Sequence, residues 1–346
     1  APSNVFIKQL LNFTTIIFIL LYILFLMNSK KLSFCQVSLA RDIPIIKQNY
    51  ESLKEFYKDI EINVICPKSE LDIFKKNLNF KEFVFFDEEE ILSFKEFYKV
   101  FDKLIAHSYF KDKMSDRLHW YYQQLLKITF VVNYIKQKKE EIIIWDADTI
   151  ITKKINFFNN LESIKYATLF EYHKPYFLTV KSIFGYLPKY YISSLIQFTS
   201  ITKNECDFFL RLLKIHNVQN KDMAIKLSSI ILKNVNENHE IYSSSLFSEY
   251  ELIGISKILN NKTKQKAIFT LRSGLSGQLT KNQFLIAKIL NVYHVTYEHS
   301  HSNNNSRDML KRKQNWFLFI KLLIKFYPRF LIKNIIYNFK YFFINI

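Results

Sequence analysis

Apolar residues recur along this chain in two rhythms, alternating over short runs and returning every three or four positions over longer ones. Leu32 to Leu39 alternates and predicts a first strand. Pro44 to Tyr57 has helical spacing, with Asp42 placed to cap it. Ile60 to Cys66, stopped by Pro67, predicts a second strand, and Ser69 a cap for a short helix through Asn77. Phe80 to Phe86 predicts a third strand ahead of the acidic run Asp87-Glu88-Glu89-Glu90. Strands and helices alternating over short links predict an α/β fold of Rossmann-like type, a mostly parallel central sheet flanked by helices.

The same reading continues through the middle of the chain. Ser115 to Ile128 predicts a helix with Tyr121, Gln124, Leu125 and Ile128 on one face and with Gln123 and Lys127 one turn apart. The unbroken run Ile142-Ile143-Ile144-Trp145 predicts a strand buried on both faces. Ile155 to Ile164 predicts a short helix or turn, Tyr166 to Glu171 a strand, and Tyr191 to Ile201 a strand with an embedded turn. Thr202, Asn204 and Asp207 offer caps for a helix from Phe208 to Ile215, and Asp222 to Lys233 predicts another. Ser248 is placed to cap a helix with Glu249 and Glu251 in its first turn, where the helix dipole favours negative charge. Lys266 to Leu271 and Val292 to Tyr297 predict two late strands.

Both ends depart from this pattern. Leu10 to Met27 is an almost unbroken apolar run between Lys8 and Lys30-Lys31, just long enough for a membrane anchor. An extension upstream of a start at Met27 would read the same way. From Met309 onward, aromatic and aliphatic residues are interrupted every few positions by Lys or Arg, and Pro328 predicts a kink. The chain thus divides into an apolar segment at 1–31, a body at 32–306 and a basic amphipathic tail at 307–346. The net charge is +18, and the tail alone holds nine Lys/Arg against the single acid Asp308. Basic and apolar together point to an anionic membrane surface, and a place on its cytoplasmic side, more than to nucleic acid.

Composition narrows the class. A hydrophobic share of 49% excludes a disordered chain, and 4 Gly with 6 Pro argue against a turn-rich all-β protein. Cys35, Cys66 and Cys206 are scattered, with no C-x-x-C, which fits a reducing compartment. No G-x-G-x-x-G follows the first strand and there is no P-loop, which argues against dinucleotide-dependent dehydrogenases and P-loop NTPases.

The chemistry concentrates at Trp145-Asp146-Ala147-Asp148-Thr149. Uncompensated carboxylates are costly inside a buried strand, so the pair belongs at the strand's carboxyl end, where open α/β sheets form their crevices. Residues i and i+2 of a strand face one side, and two carboxylates on one spot repel unless a cation lies between them. Oxygen ligands suit Mg2+ or Mn2+. Two solvated Asp in a turn would explain the same letters. Further on, Glu171-Tyr172-His173-Lys174-Pro175-Tyr176-Phe177 places His173 in a loop suited to a sugar or phosphate, or simply in a structural loop. Glu249 and Glu251 are likewise explained by their helix terminus alone or by contact with a substrate.

Asp146-Ala147-Asp148 resembles the DxD motif of GT-A-fold glycosyltransferases. Trp120-Tyr121-Tyr122-Gln123-Gln124-Leu125-Leu126-Lys127, His173-Lys174-Pro175-Tyr176-Phe177 and Phe247-Ser248-Glu249-Tyr250-Glu251-Leu252-Ile253-Gly254 resemble motifs of a bacterial branch of such proteins. The resemblance implies a nucleotide-sugar donor held through Mn2+ or Mg2+ on Asp146 and Asp148, with late His299 (or His301) as a third ligand. It implies Lys127 near a phosphate, Gln124 near sugar hydroxyls and His173 at the donor. Glu249, or else Glu251, would be a general base or a donor-sugar ligand. The acceptor would be a glycan or lipid-linked sugar of the lipopolysaccharide or capsule kind. A nucleotidyltransferase using the same Asp pair and a non-catalytic, membrane-peripheral protein are the rival expectations.

Overall fold

A computed structural model describes residues 31–105, 117–138, 140–159, 162–188, 191–215, 220–237, 245–260, 265–272, 278–297 and 313–344. The apolar run at Leu10 to Met27, and His299 and His301, lie outside the described residues.

The chain opens with β1 (Leu32–Val37), α1 (Ile43–Phe56), β2 (Ile60–Cys66), α2 (Leu71–Asn77) and β3 (Phe83–Asp87), as the alternation predicts. Asp42 precedes α1 but makes no capping bond; its carboxylate accepts from the Ser38 hydroxyl at 3.2 Å instead. Ser69 lies within a 3-10 turn at Lys68–Glu70 and does not cap α2. Two short helices follow, α3 (Glu88–Ile91) and α4 (Phe94–Leu104), then the long α5 (Leu118–Lys138) and β4 (Ile142–Trp145).

Past β4 the elements shorten: β5 (Thr149–Ile151), β6 (Phe158–Asn159), β7 (Glu162–Ser163) and β8 (Tyr166–Ala167). The stretch Ile155 to Ile164, expected as a helix or turn, holds the antiparallel β6–β7 pair instead. The strand expected through Glu171 stops at Ala167, and α6 (Lys174–Phe184) follows, with Pro175 in its first turn, where a missing N–H costs nothing. Residues Tyr191 to Gln197 are irregular, and only β9 (Phe198–Ile201) pairs in a sheet. Thr202 caps α7 (Lys203–Leu212) in a capping box with Glu205, so that helix starts five residues before Phe208. Then come α8 (Asn220–Glu237), α9 (Glu249–Asn260), β10 (Lys266–Ala267), β11 (Phe269–Leu271), α10 (Lys281–Ile289), β12 (Val292–Thr296) and α11 (Trp316–Ile344). The last helix runs through Pro328 without a break, and the proline lies on an exposed face.

The central sheet has the order β3-β2-β1-β4-β9, parallel from β3 to β4 with β9 antiparallel at the edge. The registers Val37↔Ile65 and Cys66↔Asp87 bring the carboxyl ends of the parallel strands to one rim. Side chains of β4 alternate between two cores: Ile142 and Ile144 face a cluster built from α4, α5 and α7–α9, while Ile143 and Trp145 face a cluster with α1 and α2. Burial on both faces explains why β4 reads as a continuous apolar run. A second sheet, β11-β12-β5, pairs β5 antiparallel with β12 and carries a third core closed by α10 and α11. The two carboxylates of interest therefore sit on the link between the two sheets.

Candidate active site

The link is a tight turn. Strand β4 ends at Trp145, and the Thr149 amide donates to the Asp146 carbonyl at 3.1 Å. Asp146 and Asp148 thus lie at the rim as expected, but in a turn and not on the strand, so the side-sharing rule for strands does not apply to them. The turn's backbone is held from several directions. The Asp146 amide donates to the Gln197 carbonyl at 2.9 Å, and the Tyr297 amide donates to the Asp148 carbonyl at 3.1 Å. Trp145 Nε1 donates to the Thr149 carbonyl at 3.0 Å. From α1, the buried Asn49 Nδ2 reaches the carbonyls of Asp146, Ala147 and Thr149 at 3.4, 3.4 and 2.5 Å. Its Oδ1 accepts from Gln36 on β1.

Three segments far apart in sequence meet at the Asp146 carboxylate. Lys127 Nζ on α5 lies 2.5 Å from Asp146 Oδ1 and 2.8 Å from Glu249 Oε1 on α9. The Tyr250 hydroxyl donates to the same Asp146 oxygen at 2.6 Å, and the Lys127 ammonium sits 5.3 Å from the centre of the Tyr250 ring. One turn back on α5, Gln124 Oε1 accepts from the Glu249 amide at 3.0 Å, satisfying an N–H that the start of α9 leaves without an intrahelical partner. One turn further back, the Tyr121 hydroxyl accepts from the Leu246 amide at 3.0 Å. The face of α5 anticipated from spacing is thus the surface on which residues 245–250 are mounted.

The charges explain the chemistry of this cluster. Lys127 and Glu249 have side chains only 5% and 4% exposed, against 24% for Asp146. Burial by itself would lower the Lys127 pKa, but attraction to Asp146 and Glu249 outweighs it and holds the ammonium well above the ordinary lysine range. Burial raises the Glu249 carboxyl despite the Lys127 ammonium beside it, and the Asp146 charge adds to the rise. One cation serving two carboxylates gives both directions. Burial also holds the Tyr250 phenol well above its ordinary value, with further contributions from Asp146, Glu249 and Asp148, so it stays a neutral donor.

The other expected site residues divide. Glu251 is fully buried and faces away from Asp146, because residues i and i+2 of a helix point to nearly opposite sides. It accepts from Ser193 Oγ at 2.5 Å, from the Tyr191 hydroxyl and from the Ser194 amide at 3.2 Å. Burial pushes its carboxyl up to about 7 against these hydrogen bonds. Gln124 is likewise buried and occupied by α9, not offered to a ligand. His173 Nε2 lies 2.8 Å from the Ser245 carbonyl, so it braces the start of the same 245–250 segment. Ser248 precedes α9, but among the described residues its buried hydroxyl has no hydrogen-bond partner.

Several neighbours were not legible in the chain. Tyr250 belongs to the Phe247–Gly254 stretch, but nothing in that stretch gives it a role of its own. Gln197 adopts a left-handed conformation (φ 58°), which costs about 1–3 kcal/mol in a non-glycine residue and is held here by the Asp146 amide. With its amide oriented to present oxygen, Gln197 accepts from Arg272 Nη1 and Nε at 3.2 and 2.8 Å, and Arg272 also pairs with Glu171. This puts a half-buried guanidinium two bonds' contact from the turn. Nothing in the local sequence marked Arg272, since it follows an ordinary strand.

A hard divalent cation fits the donor chemistry in part. Asp146 and Asp148 supply two carboxylates, and Asp146 is already engaged through Oδ1 by Lys127 and Tyr250. Among the described residues there is no group of three or more His, Cys, Asp or Glu suited to a metal. Such an ion would hold these two ligands and complete its shell with water or phosphate oxygens.

No protein-family model matches the chain, and no curated protein sequence matches it. Among solved structures it is similar to the galactosyltransferase LgtC in complex with donor and acceptor sugar analogs, at 11% identity and a TM-score of 0.39, over 80% of this chain and 82% of that one. It is also similar to the apo structure of the bifunctional glycosyltransferase WbbM, at 10% identity and a TM-score of 0.32, over 78% of this chain and 46% of that one.

Proposed function

We propose that the chain is a glycosyltransferase that moves a sugar from a nucleotide-diphosphate donor, with Mn2+ or Mg2+ on Asp146 and Asp148, to a glycan or lipid-linked acceptor. One observation carries this reading. The segments around Trp120, Asp146 and Ser248, which resemble glycosyltransferase motifs separately, are joined by Lys127, Gln124, Glu249 and Tyr250 around one carboxylate at the rim of the sheet. A helix surface, a strand end and a helix start have no structural need to converge on a buried charge cluster, which costs several kcal/mol per ion to desolvate.

The metal, when bound, would neutralise the departing diphosphate, the largest charge to develop in such a transfer. The chain's own groups prepare for that. Lys127 fixes the Asp146 carboxylate beside Glu249. Tyr250 donates to the same oxygen and so sets the direction of its remaining lone pairs. Glu249, buried against Lys127, acts as a positioning residue. Arg272, held by Glu171 and Gln197, is a guanidinium suited to phosphate oxygens.

The test is thermal stability with nucleotides and nucleotide sugars, with and without Mn2+, followed by turnover of whichever donor binds. A ligand at about 100 times its Kd adds roughly 2.7 kcal/mol. A shift that needs both metal and one nucleotide diphosphate, and vanishes in Asp148→Ala, is the expected result. Turnover of a nucleoside triphosphate but of no nucleotide sugar would select a nucleotidyltransferase. No shift with any donor would select a non-catalytic protein.

A further inference from the structure

The C-terminal helix α11 uses only one of its three faces to hold itself on the body. Phe319 and Leu323 are buried in the third core, with Phe326, Tyr327 and Phe330 partly buried beside them. The Tyr337 hydroxyl and Lys333 Nζ donate to the carbonyls of Gln265 and Leu169 at 3.2 and 3.0 Å. At about 3.6 residues per turn, Phe317, Ile320, Ile324, Leu331 and Ile335 fall together on a second face, pointing away from the protein. Phe317, Ile324 and Ile335 are 73%, 70% and 68% exposed. Lys321, Lys325 and Arg329 follow one another at four-residue steps and form a ridge along the flank of that stripe, while Lys333, the next in the series, turns to the body. No acidic residue occurs between Trp316 and Ile344.

We infer that this outer face is a docking surface for an anionic lipid bilayer, on which α11 lies flat. Large exposed aliphatic residues in a continuous stripe mark an interaction site, because soluble surfaces rarely carry one. The adjoining cationic ridge specifies the partner. The apolar stripe enters the acyl boundary while lysines and arginine reach headgroup phosphates from its edge. A second copy of this chain is a poor occupant, since antiparallel or parallel pairing would bring two all-cationic ridges together. A nucleic acid would leave the apolar stripe unburied. Among the described residues no helix is long and apolar enough to cross a membrane, so the helix rests on the bilayer and does not span it.

The docking helix touches the site's surroundings. Lys333 donates to Leu169 and lies 5.6 Å from the centre of the Phe170 ring, immediately before Glu171, the partner of Arg272. Docking would therefore set the turn of Asp146 at a fixed height above the lipid surface. The inference stands whether or not the site transfers a sugar.

The experiment is vesicle co-sedimentation of the full chain, with anionic phosphatidylglycerol-containing vesicles against neutral phosphatidylcholine ones, at low and high salt. Quenching of Trp316 by brominated lipid, with Trp316→Phe as the blank, reports the helix itself; no tryptophan occurs in residues 1–30. The expected result is salt-sensitive binding to anionic vesicles with Trp316 quenched. Binding should fall about fivefold for each lysine neutralised in Lys321→Gln and Lys325→Gln. It should be lost in Ile324→Glu combined with Ile335→Glu, with unchanged thermal stability in all three. Equal binding to neutral vesicles, binding untouched by these variants, or dimerisation of the chain that Ile324→Glu abolishes would each overturn it.

Discussion

Lys127 shows how a single side chain can hold two carboxylates inside a protein. Removing one partner of a buried ion pair leaves an uncompensated charge, and the cost is about 3–5 kcal/mol. Lys127→Met should therefore unfold in urea with about that much stability lost at pH 7. It should regain part of the loss as the pH is lowered, where Glu249, whose carboxyl burial already raises, can take up a proton. A variant as stable as the parent at pH 7 would mean the two carboxylates are not charged together. Glu251 offers a complementary measurement. Its carboxyl titrates at about 7 in the folded chain, above the value near 4.5 of a free glutamate, because burial opposes its ionisation. The folded state then binds the extra proton more tightly. The contribution of Glu251 is complete below the unfolded pKa, and stability is lost as pH rises from about 4.5 to 7, by on the order of 3 kcal/mol. Glu251→Gln should remove that slope, so the variant gains on the parent as pH rises from 5 to 8. Parallel urea-unfolding curves across that range would refute the assignment.

At the scale of elements, α9 is the piece that turns local sequence into a site. Its first turn faces Asp146 through Glu249 and Tyr250, and its opposite side is locked to the 191–195 segment through Glu251. Gly254, one turn on from Tyr250, lets that segment approach. A Cβ there would stand 2.2 Å from Ser194 Oγ and 3.0 Å from the Tyr191 hydroxyl. Gly254→Ala should cost about 1–3 kcal/mol through overpacking, seen as a lower urea midpoint, and should weaken donor binding as α9 is displaced. Stability within experimental error of the parent would show that Ser194 and Tyr191 yield freely. The start of α9 was legible from Ser248-Glu249-Tyr250-Glu251, yet the cap was not. Gln124, reaching across from α5, does the work assigned to Ser248, and no local pattern records a partner 125 residues away. The central strands were legible because burial on both faces writes a long apolar run. Of the second sheet, β11 and β12 were legible in the late strands expected from Lys266 and Val292, but β5 was not, because it is three residues long and owes its pairing to distant chain. Helices α4 and α10 were overlooked although Thr280 and Gln283 form a capping box at the start of α10.

For the molecule as a whole, Asp146, Lys127 and Glu249, each singled out in the sequence, come together at one place. Glu251, Gln124 and His173 proved to be braces, and Arg272 and Gln197 emerged only from tertiary contact. What makes the assembly more than a cluster of charges is Asn49. One buried amide on the first helix holds three carbonyls of the Asp146–Thr149 turn and accepts from Gln36, so α1, β1 and the rim meet at one side chain. A receptor frozen before its ligand arrives has little conformational freedom left to surrender. Donor binding should then show a small entropic penalty for the protein and a heat dominated by polar contact. Asn49→Ala should enlarge the entropic penalty in calorimetry. Fixing a loosened residue costs about 1–2 kcal/mol of backbone entropy, so affinity should fall while the enthalpy per donor molecule changes little. An unchanged entropy with a collapsed enthalpy would mean instead that Asn49 shapes the contacts themselves, and that the turn is stiff without it.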